Sequence, residues 1–419
     1  MTSREKVRRA LRYEAGPVPV DFGSTGLTGL HVSCVAALRA HYGLPQHPVK
    51  VCEPFQMLGE IEDDLARVLG SDCVGANGRG TMFGFPAEGW HEWRAPWGQV
   101  VRVPAGFRPR EEASGDVYLF PEGDATVAPS GHMPAGGYFF DAIVRQEPID
   151  EDKLNPVDNC EEFTLMGEAD IAHWRTEFAR VKGETRAVVS GIGGTGFGDI
   201  ALVPAAFLKH PKGIRDVTEW YVSLLERRDY VHQVFSYQCD VALKNLAAFA
   251  ALAGDSIDVL FICGTDFGTQ TSQFCSGATF DDLYAPYYRR VNEWVHRHTE
   301  WKTFKHTCGA IRPLIDRFID VGFDILNPVQ CSAAEMDPVR LKADFGDRVV
   351  FWGGGVDTQH TLPFGSPAEV RAQVTERLRA FSPRGGFVFN TIHNIQARTP
   401  VENIVAMVDA VHAFNGTPA

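Results

Sequence analysis

Two periodicities run through the chain. Short apolar runs, rich in β-branched and aromatic residues, predict buried strands at 18–22, 71–75, 186–190, 257–263, 302–307, 323–327, 349–352 and 387–392. Between and after them, apolar residues recur at helical spacing. That spacing predicts helices over 1–13, 31–41, 60–69, 218–227, 230–253, 280–296, 311–320, 338–344, 367–381 and 400–414. Two helix starts look alike: Ser366-Pro367-Ala368-Glu369 and Thr399-Pro400-Val401-Glu402. Each places a hydroxyl at the cap, Pro in the first turn and Glu three residues past the cap. That pattern predicts a capping box, in which side chains satisfy the open backbone N–H groups of a helix start.

Helical period fades between residues 76 and 156, where aromatics, Gly and Pro rise. Trp93 to Val103 reads as a hairpin turning near Gly98. The segment carries too many large apolar side chains for a linker, so it is expected as a β-rich insertion that covers a pocket or forms a subunit contact. After 156, strand and helix alternate, which means a parallel sheet with helices outside. The expected architecture is α/β: one (β/α)8 TIM barrel domain over 1–419, with 76–156 inserted in its N-terminal part. A doubly wound open sheet is the competing layout, because one sequence does not show closure.

Composition narrows the function classes. Forty Lys and Arg against 53 Asp and Glu give a net charge of −13. With no basic block, nucleic acid and anionic membrane surfaces are poor partners. No apolar run is long enough to span a bilayer, and the charged N-terminus lacks a signal peptide's core. The nine Cys are scattered without a CxxC pair. A disulfide framework is not expected, and a reducing cytoplasm is the expected location.

In a parallel barrel the chemistry sits where strands end. Lys305-His306-Thr307-Cys308-Gly309 ends one strand, and residues two apart in extended chain share a face. His306 and Cys308 therefore form a candidate metal pair of the zinc type, against the plainer reading of a buried His and a small apolar Cys. His393, at the end of the last strand, is the candidate third ligand. Asp266, in Gly264-Thr265-Asp266-Phe267-Gly268, is the candidate catalytic carboxylate or an orienting partner for a ligand His, against a simple loop cap. Asn327, Gln330, Trp352 and Asp357 occupy similar strand-end positions and are candidate substrate contacts. Gly191 to Gly196 fits G-x-G-x-x-G after a strand, but no convincing helix follows, so it is read as a wide loop over the mouth and not as a dinucleotide site.

Several of these segments, in this order and spacing, resemble the uroporphyrinogen decarboxylase superfamily, which includes the corrinoid (cobalamin-dependent) methyltransferases. They run from Arg4–Leu11 and Pro17-Val18-Pro19-Val20-Asp21-Phe22 through Gly264-Thr265-Asp266, His306-Thr307-Cys308-Gly309 and Asn327-Pro328-Val329-Gln330. They continue to Gly353-Gly354-Gly355-Val356-Asp357, Gly385-Gly386-Phe387 and Thr399-Pro400-Val401-Glu402-Asn403-Ile404. The resemblance implies a (β/α)8 barrel. The decarboxylases proper hold porphyrinogen with an early Arg loop, yet residues 18–30 here carry no Arg. The methyltransferase branch carries His-x-Cys and a later Cys as zinc ligands, and the later position falls on His393.

The resemblance therefore implies zinc on His306, Cys308 and His393. Two imidazoles and one thiolate leave a divalent site at net +1, a stronger Lewis acid than the neutral two-thiolate version. The expected function is a zinc-dependent methyltransferase or demethylase acting on a small O-, N- or S-methyl compound or a thiol. The chain has no D-x-H-x-x-G pattern, so its corrinoid is expected on a partner protein. The alternatives are a metal-independent decarboxylase or lyase using Asp266, and a non-catalytic barrel that binds a corrinoid partner. A homodimer is expected from the aromatic insertion.

Overall fold

The computed structural model describes residues 1–416. Seven parallel strands form one curled sheet. Its order is Phe387–Val388, Val350–Trp352, Ile325–Asn327, Lys302–His306, Val259–Cys263, Ala187–Ser190 and Cys73–Ala76. The ring closes through the chain around Val20. Val20 bridges Phe389 in parallel. Asp21 N donates to Phe389 O (2.9 Å), Phe389 N to Pro19 O (2.7 Å) and Asp72 N to Val20 O (2.7 Å). The architecture is the TIM-barrel type that the alternation predicts.

The first barrel segment is thus a single bridge and not the strand expected over 18–22. Pro17 and Pro19 have no N–H to give a ladder, and the N–H groups of Val18 and Val20 go to the side chains of Asn415 (2.8 Å) and Asp72 (2.9 Å), so only Asp21 N and the carbonyls of Pro19 and Val20 join the ring. The last strand is also shorter than expected: Phe387–Val388 pairs with Val350–Trp352 on one side, and Phe389 meets the Pro19–Asp21 stretch on the other.

Alternate residues of the strands fill the barrel: Cys73, Val189, Val259, Phe304, Ile325, Val350, Trp352 and Val388 are all buried. The N-terminal helix, Ser3–Leu11, plugs the end where the strands begin, adding Val7, Ala10 and Leu11 to that interior. Arg4 and Arg8 clamp it to Asp258 at 2.9 and 2.7 Å, and Lys6 to Asp72 at 2.7 Å. The opposite end, where the strands finish, is left for a site.

Most helices match their sequence pattern, with instructive exceptions. The helix expected over 280–296 breaks into Gly277–Leu283 and Ala285–His298, because Pro286 fits only a first turn. The stretch after Ile311 begins as a 3-10 turn, Arg312–Leu314, before Ile315–Asp320. Helix Glu168–Arg180 lies outside the helices that the pattern predicts; its Trp174 and Phe178 pack on Phe249 at 4.8 and 5.2 Å. Ser366 and Glu369 form the expected capping box. Thr399 does not. Its hydroxyl donates to Gln396 O (2.9 Å), inside the turn before the helix, and Val401–Asn415 starts from Pro400 without a side-chain cap.

The insertion is β-rich, as expected. His91–Arg94 pairs with Val100–Val103 as the hairpin around Gly98. Asp141–Ala142, Gly131–Met133, Val117–Leu119 and Arg110–Glu111 form a four-stranded antiparallel sheet. Phe83, Phe85, Phe107 and Phe140 make its core, with ring centroids 5.8 to 6.5 Å apart. It docks on the chain between residues 30 and 59: Phe140 N donates to Phe55 O (2.8 Å) and His31 Nε2 meets Tyr138 O (3.0 Å). That platform in turn holds the loop after His393. His31 N donates to Ile395 O (2.8 Å), and Asn394 Nδ2 to Gln56 Oε1 (2.9 Å). The insertion therefore stands beside the barrel mouth. Among the described residues, no helix is long and apolar enough to cross a membrane.

Candidate metal centre

His306 is the last residue of strand Lys302–His306, and Cys308 follows on the same face. His393 arrives from the loop after Phe387–Val388. The three side chains converge, with one ligand atom from each lying within 4.8 Å of the others. Cys308 Sγ is 3.5 Å from His306 Nε2, and the two imidazoles stand edge to face with centroids 5.6 Å apart.

The tautomer of His306 is fixed by its neighbours. Its Nδ1 is 2.7 Å from Asn327 Oδ1, while Asn327 Nδ2 donates to Trp352 O (2.9 Å). With the amide nitrogen committed, Oδ1 accepts, so the imidazole proton sits on Nδ1. The Nε2 lone pair is left facing Cys308 and His393.

The turn that carries Cys308 is braced from both sides. Cys308 N donates to Asp266 Oδ1 (2.6 Å), Gly309 N to Gln330 Oε1 (2.8 Å) and Phe267 N to Thr307 Oγ1 (2.8 Å). Gly309 has φ +89°, and a Cβ there would sit 2.3 Å from the backbone of Gly268. Only glycine allows the two loops to touch in this way.

Burial is the main influence on protonation here. It lowers the His306 pKa and lowers that of His393 to about 4, with the neighbouring imidazole adding to the second shift. Both rings are therefore neutral near pH 7, the form that ligates metals. Burial and the Asp266 carboxylate both push the Cys308 thiol well above its usual range, so a thiolate there requires a compensating cation.

This donor set suits zinc. With Zn–N near 2.05 Å and Zn–S near 2.3 Å, tetrahedral angles place N and S about 3.6 Å apart. The His306–Cys308 separation of 3.5 Å matches that value. Three protein ligands also leave a fourth position free, as catalytic sites do.

Asp266 is half-buried at the mouth, with one oxygen on Cys308 N. Asn327 lies against His306 as described, and both halves of its amide are used inside the protein. Trp352 is fully enclosed, not at the mouth; its indole N–H donates to Asp21 Oδ2 (3.0 Å) in the barrel interior. Gln330 bridges Gly309 N and Gln270 Oε1 (2.9 Å). Asp357 accepts from Gln359 N (2.7 Å) and His360 N (3.3 Å), closing its own turn. The G-x-G-x-x-G run is a loop at a strand end with no helix after it. Gln238 Nε2 donates to Gly194 O (3.0 Å) and Gly196 O (3.1 Å), pinning it down.

Sequence reasoning missed Asp199, which that loop delivers to the mouth. A Cβ on Gly264 would lie 2.9 Å from its carboxylate, and burial lifts its pKa to about 6, with Asp266 adding to the rise. Its signal in the sequence was its position as the polar end of the glycine run.

The family model described as uroporphyrinogen decarboxylase (URO-D) matches residues 202–414. A curated uroporphyrinogen decarboxylase of Anaeromyxobacter dehalogenans is 31% identical over 139 residues, 32% of this chain and 36% of that protein. That of Dechloromonas aromatica is 22% identical over 236 residues, 55% of this chain and 61% of that protein. The chain thus spans less than two thirds of these relatives' own length. A solved methyltransferase from Methanosarcina mazei superposes with a TM-score of 0.54 at 16% identity, covering 99% of both chains. That likeness is one of fold. With a family match over half its length, on a barrel of the same architecture, the chain belongs to the uroporphyrinogen decarboxylase (URO-D) family.

Proposed function

We propose that the protein is a zinc-dependent methyltransferase within this family. It moves a methyl group between a small O-, N- or S-methyl compound, or a thiol, and a corrinoid borne on a separate protein. The observation that carries this reading is the meeting of His306, Cys308 and His393, from a strand end and a loop far apart in sequence, with ligand atoms within 4.8 Å of one another and the His306–Cys308 pair at 3.5 Å. Bound zinc supplies a Lewis acid of net charge +1 with an open position, suited to polarising the heteroatom that loses the methyl group.

The chain's own residues prepare the site. Asn327 keeps the His306 proton on Nδ1. Asp266 and Gln330 hold the turn that presents Cys308. The remaining oxygen of Asp266 and the carboxyl of Asp199 offer acceptors to polar groups of a substrate at the mouth. The sequence shows no D-x-H-x-x-G pattern, and on this reading the corrinoid is carried by a separate protein.

A second reading is a metal-independent decarboxylase with Asp266 as its acid–base group, favoured by the description of the family match and the names of the curated relatives. Metal analysis separates the two. The methyltransferase reading expects about one zinc per chain, lost in His306→Ala and in His393→Ala. Stoichiometric zinc that survives both changes refutes it, and catalytic activity in metal-free protein supports the decarboxylase.

A further inference from the structure

Lys305 occupies an unusual place in strand Lys302–His306. Strand residues alternate, so Phe304 packs inside the barrel against Trp352 (5.4 Å) and His306 reaches the mouth, while Lys305 faces the helix layer. That layer calls for an apolar side chain. Lys305 is nevertheless fully enclosed, at 0% exposure. Among the described residues, no carboxylate pairs with its ammonium within 4.0 Å. Burying an unpaired charge is costly, so its contacts carry the explanation.

Those contacts are specific. Nζ donates to Thr265 O (2.5 Å) and to His306 O (2.7 Å). It also lies over the rings of Phe267 (4.8 Å), Phe318 (5.6 Å) and Tyr288 (5.9 Å), whose negative faces add to the longer-range attraction of the Asp199 carboxylate. Thr265 directly precedes Asp266, whose carboxylate holds Cys308 N. His306 is itself a candidate ligand, two residues before Cys308. A single buried ammonium therefore ties together the two segments that meet at Cys308.

We infer that Lys305 is a positioning residue of the metal centre: its ammonium staples the 265–266 segment to His306 and so sets Cys308 within ligand reach of His306 Nε2. The assignment rests on the metal reading above. It acts through geometry and not through charge attraction, because a nearby ammonium repels an incoming cation. Removing the charge alone would tighten metal binding. A loss of affinity on removing Lys305 therefore reports position.

Cobalt(II) titration of the full chain tests this, since a cobalt–thiolate bond has its own charge-transfer absorption. Lys305→Met keeps the apolar stem and removes the donor. It is expected to keep its circular dichroism, to bind cobalt roughly 10- to 100-fold more weakly, and to lose part of the thiolate band. In a Cys308→Ala background the same change is expected to alter affinity by less than about threefold, since the link runs through Cys308. Lys305→Gln, which keeps an N–H donor, is expected to recover part of the loss, and it carries the comparison should Lys305→Met fail to fold. Equal or tighter binding in Lys305→Met overturns the assignment, as does the same loss with and without Cys308. Wild-type protein that binds no cobalt overturns the metal reading and this assignment together. Wild-type binding with an unaltered Lys305 variant overturns this assignment alone.

Discussion

Asp21 is a carboxyl enclosed in the barrel, 1% exposed, with Ser24 Oγ (2.7 Å) and Trp352 Nε1 (3.0 Å) both donating to Oδ2 and Ser24 N (3.2 Å) to Oδ1. Burial outweighs these donors and raises its pKa from 3.8 to about 6. The native state therefore holds this proton more tightly than the unfolded chain. The stabilisation is complete below pH 3.8 and is lost as pH rises through about 6. That difference is worth about 3 kcal/mol in total, of which about 2 develop between roughly pH 4.5 and pH 7.5. Asp21→Asn removes the titration. Its carboxamide oxygen can take the Oδ2 position, keeping the Ser24 hydroxyl and Trp352 bonds, while the Ser24 N–H loses an acceptor at a cost of about 1 kcal/mol. That cost does not vary with pH. Urea unfolding of wild type and variant across this range should show the variant gaining about 2 kcal/mol relative to wild type towards the higher pH. A gap that stays constant with pH, or shrinks as pH rises, would refute the reasoning.

Two other changes separate the roles assigned above. Asn327→Leu removes the acceptor for His306 Nδ1 and frees the ring to adopt the wrong tautomer; zinc affinity is expected to fall roughly 10- to 100-fold in a competition titration, and an unchanged affinity would remove Asn327 from the site. His31, fully buried, has its pKa lowered from 6.5 to about 4 by desolvation, so its contribution to stability is present above pH 6.5 and is lost as pH falls through about 4. That loss amounts to about 3 kcal/mol. In urea unfolding, His31→Gln should lack this part of the acid decline, and an identical decline in both proteins would show that the ring does not carry it.

The barrel and the His306–Cys308 pair were legible because each depends on local pattern: an apolar run marks a strand, and residues two apart at its end share a face. His393 lies in the loop after Phe387–Val388, beyond the reach of strand alternation, and its place beside the pair was legible through the family resemblance. Hydrogen-bond commitments were not legible, since they depend on partners distant in sequence. Trp352 looks like a pocket residue until Asp21, 331 positions earlier, takes its indole N–H. Asn327 looks free until His306 and Trp352 use both ends of its amide. Thr399 had the right neighbours for a cap, but a carbonyl one turn earlier was nearer. Lys305 reads as a polar interruption of a strand, and nothing in its neighbours reveals the aromatic walls that enclose it.

These commitments join into one chain of contacts along the barrel. Asp21 Oδ2 accepts from the Trp352 indole, Trp352 O accepts from the Asn327 amide, and Asn327 Oδ1 accepts from His306 Nδ1. Each link uses the group its predecessor leaves available, so the orientation of His306 is set by residues running back to the segment that closes the ring. The polar strand-end residues that invite a substrate role make these supporting bonds, and the proposed function then leaves direct contact with a substrate to fewer groups: an open metal position, the outer oxygen of Asp266 and the carboxyl of Asp199. A barrel packed with Phe304, Trp352 and Val388 beneath the ligands has little room to reorganise. On the proposed function, specificity falls to the loops above the three candidate ligands, where the insertion stands beside His393 and the glycine run delivers Asp199.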